Sequence, residues 1–135
     1  MKNNTCQKIV QMKLRHNLID LIVLRLINQK PKYGYQIIRE IRKIFGIYFS
    51  SSTIYPLLAN FEKKGCIRSE WDITTSKPRK MFTITKKGKA IIKTAEDDLH
   101  FICKTLHTFE PSTKNTSKEN KIIREEQKQH TEPLT

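Results

Sequence analysis

A chain of 135 residues holds one modest core and excludes a multi-step enzyme built around a deep cleft. Lysine and arginine number 26 against 13 acids, a formal charge of +13, so the natural complement is a polyanion: nucleic acid or an anionic membrane surface. From Glu110 onward five basic residues meet five acids (5 − 5 = 0), which leaves 21 − 8 = +13, the whole excess, on residues 1–109.

Residues 1–12 are polar, lack the apolar run of a signal peptide and are expected to form a flexible N-terminal arm. Leu14 to Ile27 contains no breaker and predicts a first helix. Its Leu18–Ile27 stretch has eight apolar residues in ten but is interrupted by Asp20 and Arg25. At about half of the ~20 residues that cross a bilayer, it points to a cytoplasmic chain with no membrane partner. Ile19, Val23 and Ile27 line one side and Leu18, Leu21 and Ile22 another, so this helix must be covered on more than one face. In so small a chain, the second cover is expected from another subunit.

Asn28–Lys32 is turn material, with Pro31 stopping the first helix. A second helix is predicted from Tyr33 or Tyr35 to about Ile44, with Ile37, Ile38, Ile41 and Ile44 on its inner side and Gly46 closing it. After a short apolar linker, Ile47–Phe49, the run Ser50-Ser51-Ser52-Thr53 supplies N-caps. The third helix is predicted from about Thr53 to Lys64. Ile54, Leu57, Leu58 and Phe61 form its buried stripe, Pro56 lies in its first turn, and Tyr55, Asn60 and Lys63 lie on the opposite face. Cys66–Asp72 and Arg79–Thr85 alternate loosely around residues 73–78 and predict a β-hairpin whose tip and return strand carry Lys77, Arg79 and Lys80. Trp71 reads as packing at the base of this hairpin, or else as a ligand platform. Thr85 then caps a long helix to about Phe109, where Ile92, Ala95, Leu99, Ile102, Leu106 and Phe109 recur at intervals of three and four. Pro111 ends it, and the polar stretch 110–135 is expected to be disordered.

Three helices, a hairpin and a further helix make an α+β, mostly helical layout: a winged helix-turn-helix over 13–85, followed by a C-terminal helix over 86–109. A major groove ~12 Å wide admits one helix whose N-terminal residues reach base edges. Ser51, Ser52, Thr53 and Tyr55 would stand there, with Asn60 and Lys63 farther along the same face. Lys77, Arg79 and Lys80 would meet phosphates from the wing. Tyr55 reads equally as a ring packed on the second helix and as a base contact. The stripe from Ile92 to Phe109 fits either its own first helix or, with Leu18 and Ile22, a dimer interface shared with a second copy.

Tyr33-Gly34-Tyr35-Gln36-Ile37, the block Ser52-Thr53-Ile54-Tyr55-Pro56-Leu57-Leu58 followed by Phe61-Glu62-Lys63-Lys64-Gly65-Cys66-Ile67, and Pro78-Arg79-Lys80-Met81-Phe82-Thr83-Ile84-Thr85 with Gly88 resemble motifs of the PadR family of regulators. The resemblance spans about residues 14–109, and the Thr-Ile-Tyr-Pro-Leu-Leu block is its most specific part. Tyr33, Ser52 and Met81 depart from the residues usual in that family. It implies a winged-helix dimer that represses transcription, with the C-terminal helix taking part in dimerisation, and it allows a small-molecule effector without naming one. The expected function is a homodimeric regulator binding an inverted-repeat site on double-stranded DNA. The alternatives are a winged-helix adaptor for proteins and a non-specific nucleoid or RNA-binding protein.

No paired carboxylates, activated nucleophile or glycine-rich phosphate loop suggests an enzyme. Cys6, Cys66 and Cys103 are widely spaced, and although His100, Cys103 and His107 could share one helix face, they form no ligand cluster with His16 and His130, so no metal, disulfide or other cofactor is expected.

Overall fold

The computed structural model describes residues 2–109 and Pro111, so the tail expected over 110–135 lies, Pro111 apart, outside the described residues. The elements in chain order are α1 (Lys2–Asn17), α2 (Ile19–Gln29), β1 (Lys32–Tyr33), α3 (Gly34–Phe45), α4 (Ser51–Lys63), β2 (Ile67–Asp72), β3 (Arg79–Ile84) and α5 (Lys86–His107). The strands form one antiparallel sheet in the order β1-β3-β2. This is the α+β winged helix-turn-helix that the spacing predicts, with two differences in its first third.

The first difference is α1. Where residues 1–12 are expected to be a flexible arm, the chain is helical from Lys2. The segment contains neither Pro nor Gly, and Gln, Lys, Met, Leu and Arg are good helix formers, so its polarity marks exposure and not looseness. Its end is anchored: Arg15 donates to the Phe45 carbonyl at 3.2 Å, and the His16 ring lies 5.0 Å from that of Phe49. Hydrogen bonds from Leu18 N–H to the Leu14 carbonyl and from Ile22 N–H to the Leu18 carbonyl carry the chain through the junction into α2.

The second difference is β1. The supposed turn at Lys32 pairs with the wing, Lys32 opposite Phe82 and Tyr33 opposite Met81. Lys32 is fully buried, and its ammonium reaches Glu40 Oε1 on α3 at 2.9 Å. A charge taken out of water needs such a partner.

The core gathers Val23, Leu24, Leu26 and Ile27 of α2, Ile37 and Ile41 of α3, Ile54, Leu58 and Phe61 of α4, and Ile67, Phe82 and Ile92. Burying a side chain such as Ile37 or Leu58 stabilises by roughly 1.5–3 kcal/mol. The apolar faces of α2 are thus covered by this chain's own α3 and β3, and the cover expected from a second subunit is largely supplied from within.

Contacts divide the chain into two compact units, Met1–Asp97 and Asp98–Thr135. The first runs past Thr85, where the winged domain was expected to end, because the start of α5 packs into it. The Thr85 hydroxyl accepts the Gly88 N–H at 3.1 Å, as the predicted cap requires, and donates to the Gly65 and Cys66 carbonyls. Gly88 lies so close to β2 that a Cβ would come 2.2 Å from the Cys66 carbonyl oxygen. The second unit comprises, among the described residues, the last part of α5 and the turn to Phe109.

Candidate nucleic-acid interface

α4 opens with hydroxyl residues because Ser and Thr favour helix starts over helix interiors. Ser50 is the N-cap, yet its hydroxyl meets Ser52 Oγ at 2.6 Å and makes no bond to a backbone N–H. The Ser50 carbonyl takes the N–H groups of Thr53 and Ile54. Those of Ser51 and Ser52 have no acceptor among the described residues, and both residues are exposed. A helix N-terminus with unspent N–H groups suits an anion or a base-edge acceptor. The helix starts two residues before the expected Thr53, so Pro56 falls in the second turn and not the first. Lacking an N–H, it leaves the Ser52 carbonyl without its usual helical donor.

Gly34 lies where α3 meets α4. A Cβ there would stand 2.6 Å from the far end of the Tyr55 ring, so the ring lies where it does because that side chain is absent. Tyr55 packs on α3 through this contact while 45% of it stays exposed. The packing expected of the ring is therefore present, and its other side is open to solvent.

Wing and helices meet around a cavity of about 360 Å³ lined by Tyr33, Tyr35, Tyr55, Trp71, Arg79 and Lys80, among others. Tyr55 and the adjacent pair Arg79 and Lys80, far from it in sequence, are brought together here. The register of the hairpin runs from Ile67 opposite Ile84 to Trp71 opposite Lys80 and Asp72 opposite Arg79. Trp71, expected to pack at the wing base, is 63% exposed, because the hairpin has run beyond the core by that point. Its ring carries the Lys80 ammonium 5.2 Å from the centroid.

Arg79 has a different environment from Lys77 and Lys80. Its guanidinium lies 4.1 Å from the Tyr33 ring centroid and 5.6 Å from that of Tyr35, and it donates to the Tyr35 hydroxyl at 2.8 Å. Its Nε is buried with no hydrogen-bond partner. Half-buried among aromatic rings, Arg79 holds the wing to α3, whereas Lys77 and Lys80 are exposed.

Asp72 completes the attachment. It accepts from the Thr74 hydroxyl at 2.5 Å and the Thr74 N–H at 3.0 Å, and from the Tyr33 hydroxyl. Those bonds, the Thr74 hydroxyl foremost, lower its carboxyl from 3.8 to about 2, since each favours the charged form. The same Asp72 bond raises the Tyr33 phenol above its ordinary value.

A second cationic feature escaped the sequence reading. Arg39, Arg42 and Lys43 are exposed and, with Gln36 and Glu40, line an open groove of about 690 Å³ on α3. Arg42 lies 5.8 Å over the Tyr48 ring. Their spacing opposite Ile37 and Ile41 was the available signal, since the first helix of a helix-turn-helix crosses the DNA backbone.

Asn60 and Lys63 are exposed farther along α4 and do not line the wing cavity. Of the residues expected at a dimer interface, Ile92 is only 3% exposed and belongs to the core of its own winged unit, which removes it from any contact with a second chain. Ile22 packs partly against the same core, and Leu18, Ala95 and Leu99 are half-buried. Ile102, Leu106 and Phe109 are exposed, at 45%, 60% and 76%. No helix among the described residues is long and apolar enough to cross a membrane.

The sequence pattern of the Transcriptional regulator PadR-like family matches residues 23–94, more than half of the chain and the span from α2 through the wing into α5. The chain belongs to the PadR-like family. A crystal structure of a PadR family transcriptional regulator from Eggerthella lenta is 28% identical, superposes with a TM-score of 0.71, and the match covers 82% of this chain and 96% of that one. A transcriptional regulator from Clostridium thermocellum is 26% identical with a TM-score of 0.65, over 73% of this chain and 99% of that one. An uncharacterised protein of Lysinibacillus sphaericus is 36% identical over 77 residues, 55% of this chain and 71% of that protein. Membership of the PadR-like family places this chain among winged-helix, DNA-binding transcriptional regulators.

Proposed function

We propose that this PadR-like protein is a sequence-specific repressor that binds an inverted-repeat operator as a homodimer. The observation that carries the DNA-binding mode is the convergence of the α4 face and the wing: Tyr55 of the recognition helix and Trp71, Arg79 and Lys80 of the hairpin border one cavity. In that mode Ser51, Ser52, Thr53 and Tyr55 enter the major groove, and unspent N–H groups and hydroxyls meet base edges and phosphates. Asn60 and Lys63 lie toward the groove's rim. Lys77 and Lys80 take the flanking backbone from the wing, and Arg39, Arg42 and Lys43 the backbone crossed by α3. Arg79 sets the wing's angle through Tyr33 and Tyr35.

The exposed Ile102, Leu106 and Phe109 support a dimer through the end of α5, since large apolar side chains at three- and four-residue spacing gain by mutual burial. Two recognition helices about 34–36 Å apart then face successive major grooves, which suits an inverted repeat. Repression follows if the bound operator overlaps a promoter.

Selection from a randomised duplex library at about 150 mM salt, where non-specific binding weakens, tests the reading. Enrichment of an inverted repeat is the expected result. Tight binding with no enriched motif would refute sequence-specific regulation in favour of an architectural role, and absence of retention would favour a protein adaptor. Leu99→Glu with Leu106→Glu should yield a folded monomer with weakened operator binding; a variant that sediments as a dimer refutes the interface.

A further inference from the structure

We propose that the lysine-rich face made by the end of α4 and the first two turns of α5 binds a second segment of duplex DNA, distinct from the one read by the α4 N-terminus and the wing. This rests on the DNA-binding reading above and extends it. Lys64 stands at the C-terminal end of α4, and Lys86, Lys87, Lys89 and Lys93 at the start of α5, all of them exposed. The two segments are joined: Lys87 Nζ donates to the Lys64 carbonyl at 2.7 Å, and the Thr85 hydroxyl donates to that of Gly65 at 2.7 Å.

None of the five has a carboxylate partner among the described residues, where the ion pairs are Arg25–Glu96 and Lys32–Glu40. The first turn of α5 contains no acid. Cations there oppose the helix dipole, so local folding disfavours this arrangement and a bound polyanion relieves it.

Position decides that the anion is not the DNA already seated on the recognition helix. The 13 residues of α4 carry the chain about 20 Å from Ser51 to Lys63. The six residues of β3 carry it about 20 Å from Arg79 at the wing tip to Ile84 beside α5. These lengths set Lys64 and the α5 lysines at the opposite ends of α4 and β3 from the residues assigned to the first duplex, farther from them than the ~8.5 Å depth of a major groove. The chemistry of the face fits backbone binding: lysines are point charges on flexible stems, suited to phosphates spaced along a duplex and not to bidentate base reading. The chain's own tail is a poor occupant, since residues 110–135 hold as many basic residues as acids.

The test uses the full chain and the variant K86Q/K87Q/K89Q/K93Q, glutamine being chosen because it keeps helix propensity. One readout is affinity for a fluorescent random-sequence duplex of about 30 bp at about 50 mM salt. The other is bridging: protein saturated on an immobilised duplex of that kind is offered a second, labelled duplex, and the captured label is measured. The expected result is first-duplex affinity within about twofold of wild type, bridging reduced at least about tenfold, and a salt slope for bridging lower by about 3.6 for each protomer that holds the second duplex. Since a dimer can bridge through its two recognition helices alone, the variant comparison is decisive. Equal bridging by variant and wild type overturns the proposal, as does a wild type that never bridges. A parallel loss of both readouts also overturns it, by placing the lysines in the first interface. If wild type binds no first duplex, it is the DNA-binding reading that fails.

Discussion

Replacing Lys77 and Lys80 by alanine isolates the wing's electrostatic contribution. Both side chains are exposed, and neither carries the contacts that hold the wing to α3, which run through Arg79, Tyr33 and Asp72. The fold and the reading helix are therefore left in place. Each phosphate neutralised contributes about 0.9 to the slope of log affinity against log salt. Two lysines per protomer make four in a dimer, so the slope should fall by about 3.6. Between about 50 and 200 mM salt, a fourfold change, wild type should then lose about 150-fold more affinity than the variant, since 4 raised to 3.6 is about 150. Fluorescence anisotropy on a labelled operator at four salt concentrations measures both lines. Parallel lines would refute the wing assignment outright. A change of about 1.8 would mean that only one wing of the dimer, or one lysine of each pair, meets phosphate. An unchanged Tm checks that the variant stays folded, since Trp71 emission responds to the loss of Lys80 itself.

Three further outcomes follow from close contacts and from Asp72. Gly88→Ala drives a methyl group into the Cys66 carbonyl, a backbone atom that cannot step aside, and should destabilise by about 3 kcal/mol or more, lowering Tm by at least roughly 10 °C; an unchanged Tm would contradict the packing of α5 on β2. Gly34→Ala meets only the far end of the Tyr55 ring, which can swing toward solvent. Its stability should fall by less than about 1.5 kcal/mol while operator affinity drops about tenfold, one contact's worth, and unaltered affinity would release Tyr55 from the DNA face. Asp72 has a folded-state carboxyl depressed to about 2, so its contribution is complete above pH 4 and is lost as pH falls from there through 2. Asp72→Asn should thus lower stability at neutral pH and flatten the loss between pH 4 and 2; urea midpoints across that range check it, and identical slopes would refute it.

What could be read directly was local and periodic. Ile37 and Ile41, and Ile54, Leu58 and Phe61, each mark one face of one helix, and that spacing places α3 and α4 without knowledge of their partners. The hairpin strands show in their alternation, and the basic excess shows in the composition of residues 1–109. Polarity misled over residues 2–12, because it reports exposure, which a helix tolerates as well as a loop does.

The rest was settled by contacts between segments distant in sequence. A two-residue strand has no period to detect, so β1 exists only because β3 offers it hydrogen-bonding partners, and Lys32 is buried only because Glu40 stands within reach. Arg79 and Lys80 are adjacent and alike on paper, yet one is held among Tyr33 and Tyr35 and the other rides on exposed Trp71. Ile92 continues the heptad-like stripe toward Phe109, but the end of that stripe is exposed while Ile92 fills the core of the winged unit. A sequence fixes which faces are apolar or charged, because those follow from residue type and helical or strand pitch. Which neighbour covers each face, and which cation is left free, depends on the packing of the whole chain.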